Sequence, residues 1–217
     1  TVTGTACCAV HAKLATAKTC TPARPKQPGI QHFAAYDLAA LVPYIDWTPF
    51  IQTWELSGAY PKILNDAVVG VEARKLFADA QAMLQRIVKE KWLIASGVFG
   101  LFPANAVGDD IEIYSDESRN KVALTWHNLR QQQERPAGKP HACLADFVSP
   151  KDSGVADWIG AFAVTAGIGI EKKIAEFDAA HDDYNSILLR ALADRLAEAF
   201  AEHLHQRVLR EFWGYAP

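Results

Sequence analysis

An aspartate set between two large apolar residues needs an explanation, because a carboxylate in such company must be answered by hydrogen bonds or by a cation. Asp46 stands in that position, flanked by Ile45 and Trp47 in a stretch that also holds Tyr44, Phe50 and Trp54. Two roles suit it. It can cap a helix that starts just after it, or it can meet a positive ligand in an aromatic-lined pocket; the residue types alone favour the cap. Thr48 followed by Pro49 supports a helix start here, the hydroxyl capping free N–H groups and the proline taking the first helical position.

Other chemistry-bearing groups fare less well. Cys7, Cys8, His11 and Cys20 carry the ligand atoms for zinc but lack any paired C-x-x-C spacing, so no metal site is assigned. His181, Asp182 and Asp183 could supply metal ligands or an acid–base pair, and an unrelated metal hydrolase built on them is the weakest alternative. They lie just before a long helical pattern, where an aspartate is an expected cap. Asp109 and Asp110 follow Gly108 and read as a turn entering a strand. No G-x-S-x-G, H-E-x-x-H, Walker loop or three-glycine dinucleotide turn is present, and no catalytic residue is assigned.

The elements that must position these residues follow from periodicity. Between Ala67 and Lys91 the apolar positions Leu76, Phe77, Ala80, Met83, Leu84, Ile87 and Val88 recur at steps of three and four, with Asp66 placed to cap the start. A second helical stripe runs from Tyr184 to Trp213 through Leu188, Leu192, Leu196, Phe200, Leu204 and Val208. Ile111 and Ile113 alternate with polar neighbours, as do Val122, Leu124 and Trp126, which predicts two antiparallel strands. The glycine-flanked apolar runs Val98–Phe102 and Trp158–Val164 read as buried strands of the same sheet. These elements predict an α+β fold, a mixed or antiparallel sheet flanked by long amphipathic helices. Residues 1–28, rich in Thr, Ala, Lys and Pro, are expected to form a flexible arm ahead of a single domain at 29–217.

Bulk properties narrow the partners. The 217 residues are 50% hydrophobic and 22% charged, with a net charge of -3. Mixed charges give no footprint for nucleic acid or an anionic membrane, and the apolar runs are too short for a membrane span. Four cysteines, three of them in the first twenty residues, make no disulfide framework, and the N-terminal stretch has no secretory pattern. A cytoplasmic location is expected.

The segment Val42-Pro43-Tyr44-Ile45-Asp46-Trp47-Thr48-Pro49-Phe50 resembles the activation domain of cobalamin-dependent methionine synthase. So do Asp66–Gly70 (DAVVG), Gly100–Asn105 (GLFPAN), Val107–Tyr114 (VGDDIEIY), Leu129–Gln132 (LRQQ), Cys143–Val148 (CLADFV), Ile159–Thr165 (IGAFAVT), His181–Asn185 (HDDYN), Ala191–Glu202 (ALADRLAEAFAE) and Glu211–Pro217 (EFWGYAP). The resemblance covers about residues 22–217. It implies a module of a methyltransferase in methionine biosynthesis from homocysteine, which binds S-adenosylmethionine for the reductive remethylation of oxidised cobalamin. It also implies two partners, the cobalamin-binding domain of the same enzyme and a flavodoxin or similar flavoprotein as electron donor. Asp46 matches the family's S-adenosylmethionine-contacting aspartate, which turns the reading of that residue toward binding. The family's R-x-x-x-G-Y segment, whose arginine would meet the ligand's carboxylate, has no counterpart up to Pro217, so the chain alone is expected to be truncated and not catalytically competent. Glu198 could approach the cobalamin edge but is equally an exposed helix acid, and is not counted as a site. The D-x-H-x-x-G cobalamin signature is missing, which leaves cobalamin to another domain. The alternative is a free-standing module that docks on a corrinoid protein or flavodoxin without holding S-adenosylmethionine.

Overall fold

A computed structural model describes residues 21–136 and 138–215. The expectations for residues 1–20, including the candidate ligands Cys7, Cys8, His11 and Cys20, lie outside the described residues. Among the described residues the order is β1 (Gly29–Tyr36), α1 (Trp47–Gln52), α2 (Gly70–Glu90), β2 (Ile94–Val107), β3 (Asp110–Tyr114), β4 (Val122–Trp126), β5 (Asp157–Ile168), α3 (Ile170–Ala179) and α4 (Asp183–Arg207). The strands join in one sheet in the order β1-β2-β3-β4, with β5 also paired to β2. The α+β class is as the periodicity predicts. The chain packs as two compact units, with boundaries at Gln31/His32 in β1, Val98/Phe99 in β2, Phe162/Ala163 in β5 and Gln206/Arg207 at the end of α4.

One unit comprises His32–Val98 and Ala163–Gln206. Its two long helices bury the stripes read from the sequence. In α2 these are Leu76, Ala80, Met83, Leu84 and Ile87, with Phe77 and Val88 half-buried. In α4 they are Leu188, Leu192, Leu196, Phe200 and Leu204. Gly97 shows how closely α4 approaches β2, because a Cβ there would sit 2.9 Å from the Phe200 ring. Asp66 does not cap α2 directly. It accepts bonds from Val68 and Val69 N–H and closes a turn ahead of the helix, which starts at Gly70 and ends at Lys91 in the left-handed conformation.

The other unit contains the described residues up to Gln31, Phe99–Phe162, and those from Arg207 onward. β2 and β3 pair antiparallel with Ala104 opposite Ile113, and β3 pairs antiparallel with β4, Ile111 opposite Trp126. Ala104, Ala106, Ile111, Cys143, Ala145 and Val148 form its core. The last helical segment does not continue regularly to Trp213 as its stripe suggests. It changes after Arg207 to a π-turn, Val208–Phe212, which buries Val208 and Phe212. Residues 21–28, expected within the arm, are bonded to that segment. Trp213 Nε1 donates to the Ala23 carbonyl at 2.7 Å, and Gln27 N–H donates to Phe212 O at 2.9 Å.

Candidate functional site

Asp46 adopts an extended backbone (φ -81, ψ 113) and is the N-cap of α1, its Oδ1 accepting from Thr48 N–H at 2.9 Å. The helix therefore begins at Trp47, two residues earlier than the Thr48-Pro49 signal suggests. Thr48 is not the cap; its Oγ1 accepts from Tyr60 N–H at 3.2 Å. A six-residue helix has too few internal bonds to stand alone, and burial holds this one. Phe50 and Ile51 are fully enclosed, and Trp47 is 8% exposed. The Trp47 ring meets Phe50 and Phe77 edge-on at 5.4 and 5.0 Å, and Phe77 in turn carries the Tyr60 ring at 5.2 Å. This buried support presents the Asp46 carboxylate at an exposed position. An ionised carboxylate has about four acceptor sites, so one cap bond leaves capacity for a ligand. Among the described residues no cation pairs with Asp46.

The remaining candidates are committed to structure. Asp182 caps α4, accepting from Asn185 N–H at 3.1 Å and from its side-chain amide at 2.7 Å. Those bonds, the side-chain one foremost, hold its carboxyl below the usual aspartate range. His181 takes a positive φ of 54, and among the described residues no cluster of metal-ligating side chains is found. Asp109 is clamped by Arg130, which also grips Asp146 at 2.9 Å, while Asp110 meets His127 Nδ1 at 2.8 Å. The hydrogen bonds that Arg130 donates to Asp146, and then to Asp109, raise its guanidinium further above its ordinary value. Glu198 is an exposed acid paired with Arg195.

Near the far end of α1 lies a hollow of about 440 Å³ lined by Trp54, Leu56, Lys75, Asp79 and Tyr184 among others. Tyr184 donates to Asp79 Oδ2 at 2.8 Å. Burial, and then that bond, pushes its phenol up to about 12, so it remains a proton donor at neutral pH.

Fold and site together define an α+β domain that displays an acid, backed by a buried aromatic wedge, at the start of a short helix. The family model described as "Vitamin B12 dependent methionine synthase, activation domain" matches residues 37–217. The chain belongs to this family, and so is related to a domain of a cobalamin-dependent methyltransferase. It is similar to the solved structure titled "Crystal Structure of the MetH Reactivation Domain bound to AdoHcy", at 56% sequence identity and a TM-score of 0.87. That match covers 91% of this chain and 60% of the other, so the chain spans less than two thirds of that structure's length.

Proposed function

We propose that this domain binds S-adenosylmethionine through Asp46 and presents it for reductive remethylation of oxidised cobalamin in methionine synthase. The observation that carries the reading is the 56% identity to a reactivation domain whose structure holds AdoHcy, the demethylated form of that ligand. The geometry at α1 supports it. An ammonium and a sulfonium call for a carboxylate, and Asp46 offers one that is exposed and only partly used by its cap bond. When bound in the neighbouring domain, cobalamin supplies the cobalt that accepts the methyl group. A flavodoxin or similar flavoprotein would supply the electron, and S-adenosylmethionine, having given up its methyl group, would leave as S-adenosylhomocysteine. This chain's part is to hold and orient the donor. Among the described residues no helix is long and apolar enough to cross a membrane, and we place the module in the cytoplasm, beside its flavoprotein donor.

Calorimetric titration tests the reading. Asp46→Asn keeps the shape and an acceptor for Thr48 N–H but loses the charge. In the full-length gene product it is expected to weaken S-adenosylmethionine ten- to a hundredfold, the loss of a charge-assisted bond of about 1.5–3 kcal/mol, with the melting temperature unchanged. Unaltered affinity in Asp46→Asn returns that residue to a purely capping role. No binding by the full-length product would favour a module that docks on a corrinoid protein or flavodoxin without holding the ligand.

A further inference from the structure

We infer that Thr48 is a positioning residue for the Asp46 carboxylate and for the 59–61 segment beside it, an inference that rests on the reading of Asp46 just given. Thr48 works through two separate groups. Its backbone N–H donates to Asp46 Oδ1 at 2.9 Å and fixes the direction of the carboxylate. Its hydroxyl oxygen accepts from Tyr60 N–H at 3.2 Å, twelve residues along the chain. The same residue therefore orients the acid and fastens the returning loop against it.

That loop has little regular structure of its own. After α1 the chain turns through Glu55 at φ 60 and Gly58 at φ 154 before a 3-10 turn at Lys62–Asn65. Glu55 occupies a conformation that most side chains avoid, and a side chain at Gly58 would meet Ile63 at 3.0 Å. Two contacts hold the loop to α1 at Tyr60. On the apolar side its ring packs on Phe77, which packs on Trp47; on the polar side its N–H meets Thr48. The apolar contact is broad and tolerant of direction, whereas the hydrogen bond sets register. Removing the hydroxyl leaves the Tyr60 N–H unanswered and lets the segment shift relative to Asp46. Pre-organisation is lost while the buried wedge survives, so binding is affected more than folding.

The test uses the full-length gene product and S-adenosylhomocysteine as the titrated probe. Thr48→Val keeps the branched shape and the backbone N–H but has no oxygen; Thr48→Ser keeps the oxygen. Thr48→Val is expected to bind about five- to tenfold more weakly, the scale of one neutral hydrogen bond, with Thr48→Ser within about twofold of the parent. The double variant Asp46→Asn/Thr48→Val should bind more weakly than Asp46→Asn, because Thr48→Val leaves the backbone N–H to Asp46 in place and acts through the 59–61 segment. Tyr60 N–H should exchange with solvent faster in Thr48→Val than in Thr48→Ser. A Thr48→Val variant that melts earlier but binds normally, while Asp46→Asn binds weakly, overturns the positioning role and leaves the Asp46 reading intact. An Asp46→Asn variant of normal affinity overturns that reading itself. Should Thr48→Val not fold, Thr48→Ala carries the same comparison with the exchange rate at Tyr60.

Discussion

At the turn between β2 and β3 the acids are answered from close by. Arg130 reaches Asp109 at 2.6 Å and Asp146 at 2.9 Å, His127 reaches Asp110, and Asn128 N–H and side-chain amide bond to the same turn. At the start of α1 the acid rests on one backbone N–H, and the support around it is apolar: Trp47, Phe50, Ile51 and Phe77. The first reads in the sequence as acids in a turn entering a strand, the second as an acid just before a helix. The first is a network in which every acid has a side-chain partner of its own or shares one. The second keeps an unbalanced negative charge on a rigid base, which is the arrangement a cationic ligand needs.

The comparison can be broken most severely from beneath α1. Phe50 is fully enclosed, and Phe50→Ala is expected to cost about 3–5 kcal/mol from lost transfer energy and the cavity left behind. Chemical denaturation measures this directly. A loss under about 1 kcal/mol would mean that α1 re-packs easily and that the carboxylate above it is not firmly held.

A milder change inverts the logic of the Asp46→Asn experiment. Asp109→Asn removes one arm of the Arg130 clamp at a side chain 48% exposed, where solvent screens the pair. The expected loss of stability is about 1 kcal/mol or less, with affinity for S-adenosylmethionine unchanged. Asp46→Asn should show the reverse, weak binding at unchanged stability. If both substitutions weakened the ligand alike, the two acids would share one electrostatic field and the distinction drawn above would fail.

What could be read from residue order depended on how many residues shared one burial pattern. The stripes of α2 and α4 repeat over five or six turns, and the apolar residues of β3 and β4 alternate in the sequence although the pairing is irregular at Ile113/Tyr114 and β4 is largely exposed, so these elements were legible. β1 was not, because five of its eight positions are exposed and the apolar ones do not alternate. α3 was not either, since it is ten residues long and buries only Ile174. β2 was underestimated because it starts at exposed Ile94 and continues through buried Pro103 and Asn105, which break the apolar run, and β5 runs on to exposed Ile168 and is exposed at residues 160–163, where a buried strand was expected. Asp46 was legible as a cap from its neighbours, whereas its proposed ligand role came from the family resemblance and not from spacing. The Thr48–Tyr60 bond had no signal, because its donor is a backbone N–H that any residue at position 60 except proline would supply.

The smallest expected effect separates the Asp46 cap from the Asp66 turn. Asp66, like Asp46, accepts from the backbone two residues on, but it takes a second bond, from Val69 at 3.0 Å as well as Val68 at 2.8 Å. The Val69 bond first, then that of Val68, holds its carboxyl below the ordinary range, against a slight opposing effect of burial. A folded-state pKa below the unfolded one means that the unfolded chain takes up the proton first as pH falls. The stabilisation is therefore complete above the unfolded value of about 4, and it is lost as pH falls through the folded value. Asn at position 66 would keep an acceptor for the turn but could not titrate. Urea denaturation of Asp66→Asn across that range should give a stability that declines less steeply below about pH 4 than that of the parent, with the two curves parallel near neutrality. Curves that stay parallel throughout would mean that the Asp66 turn persists in the unfolded chain, because only a difference between the two states can give the proton any leverage on folding.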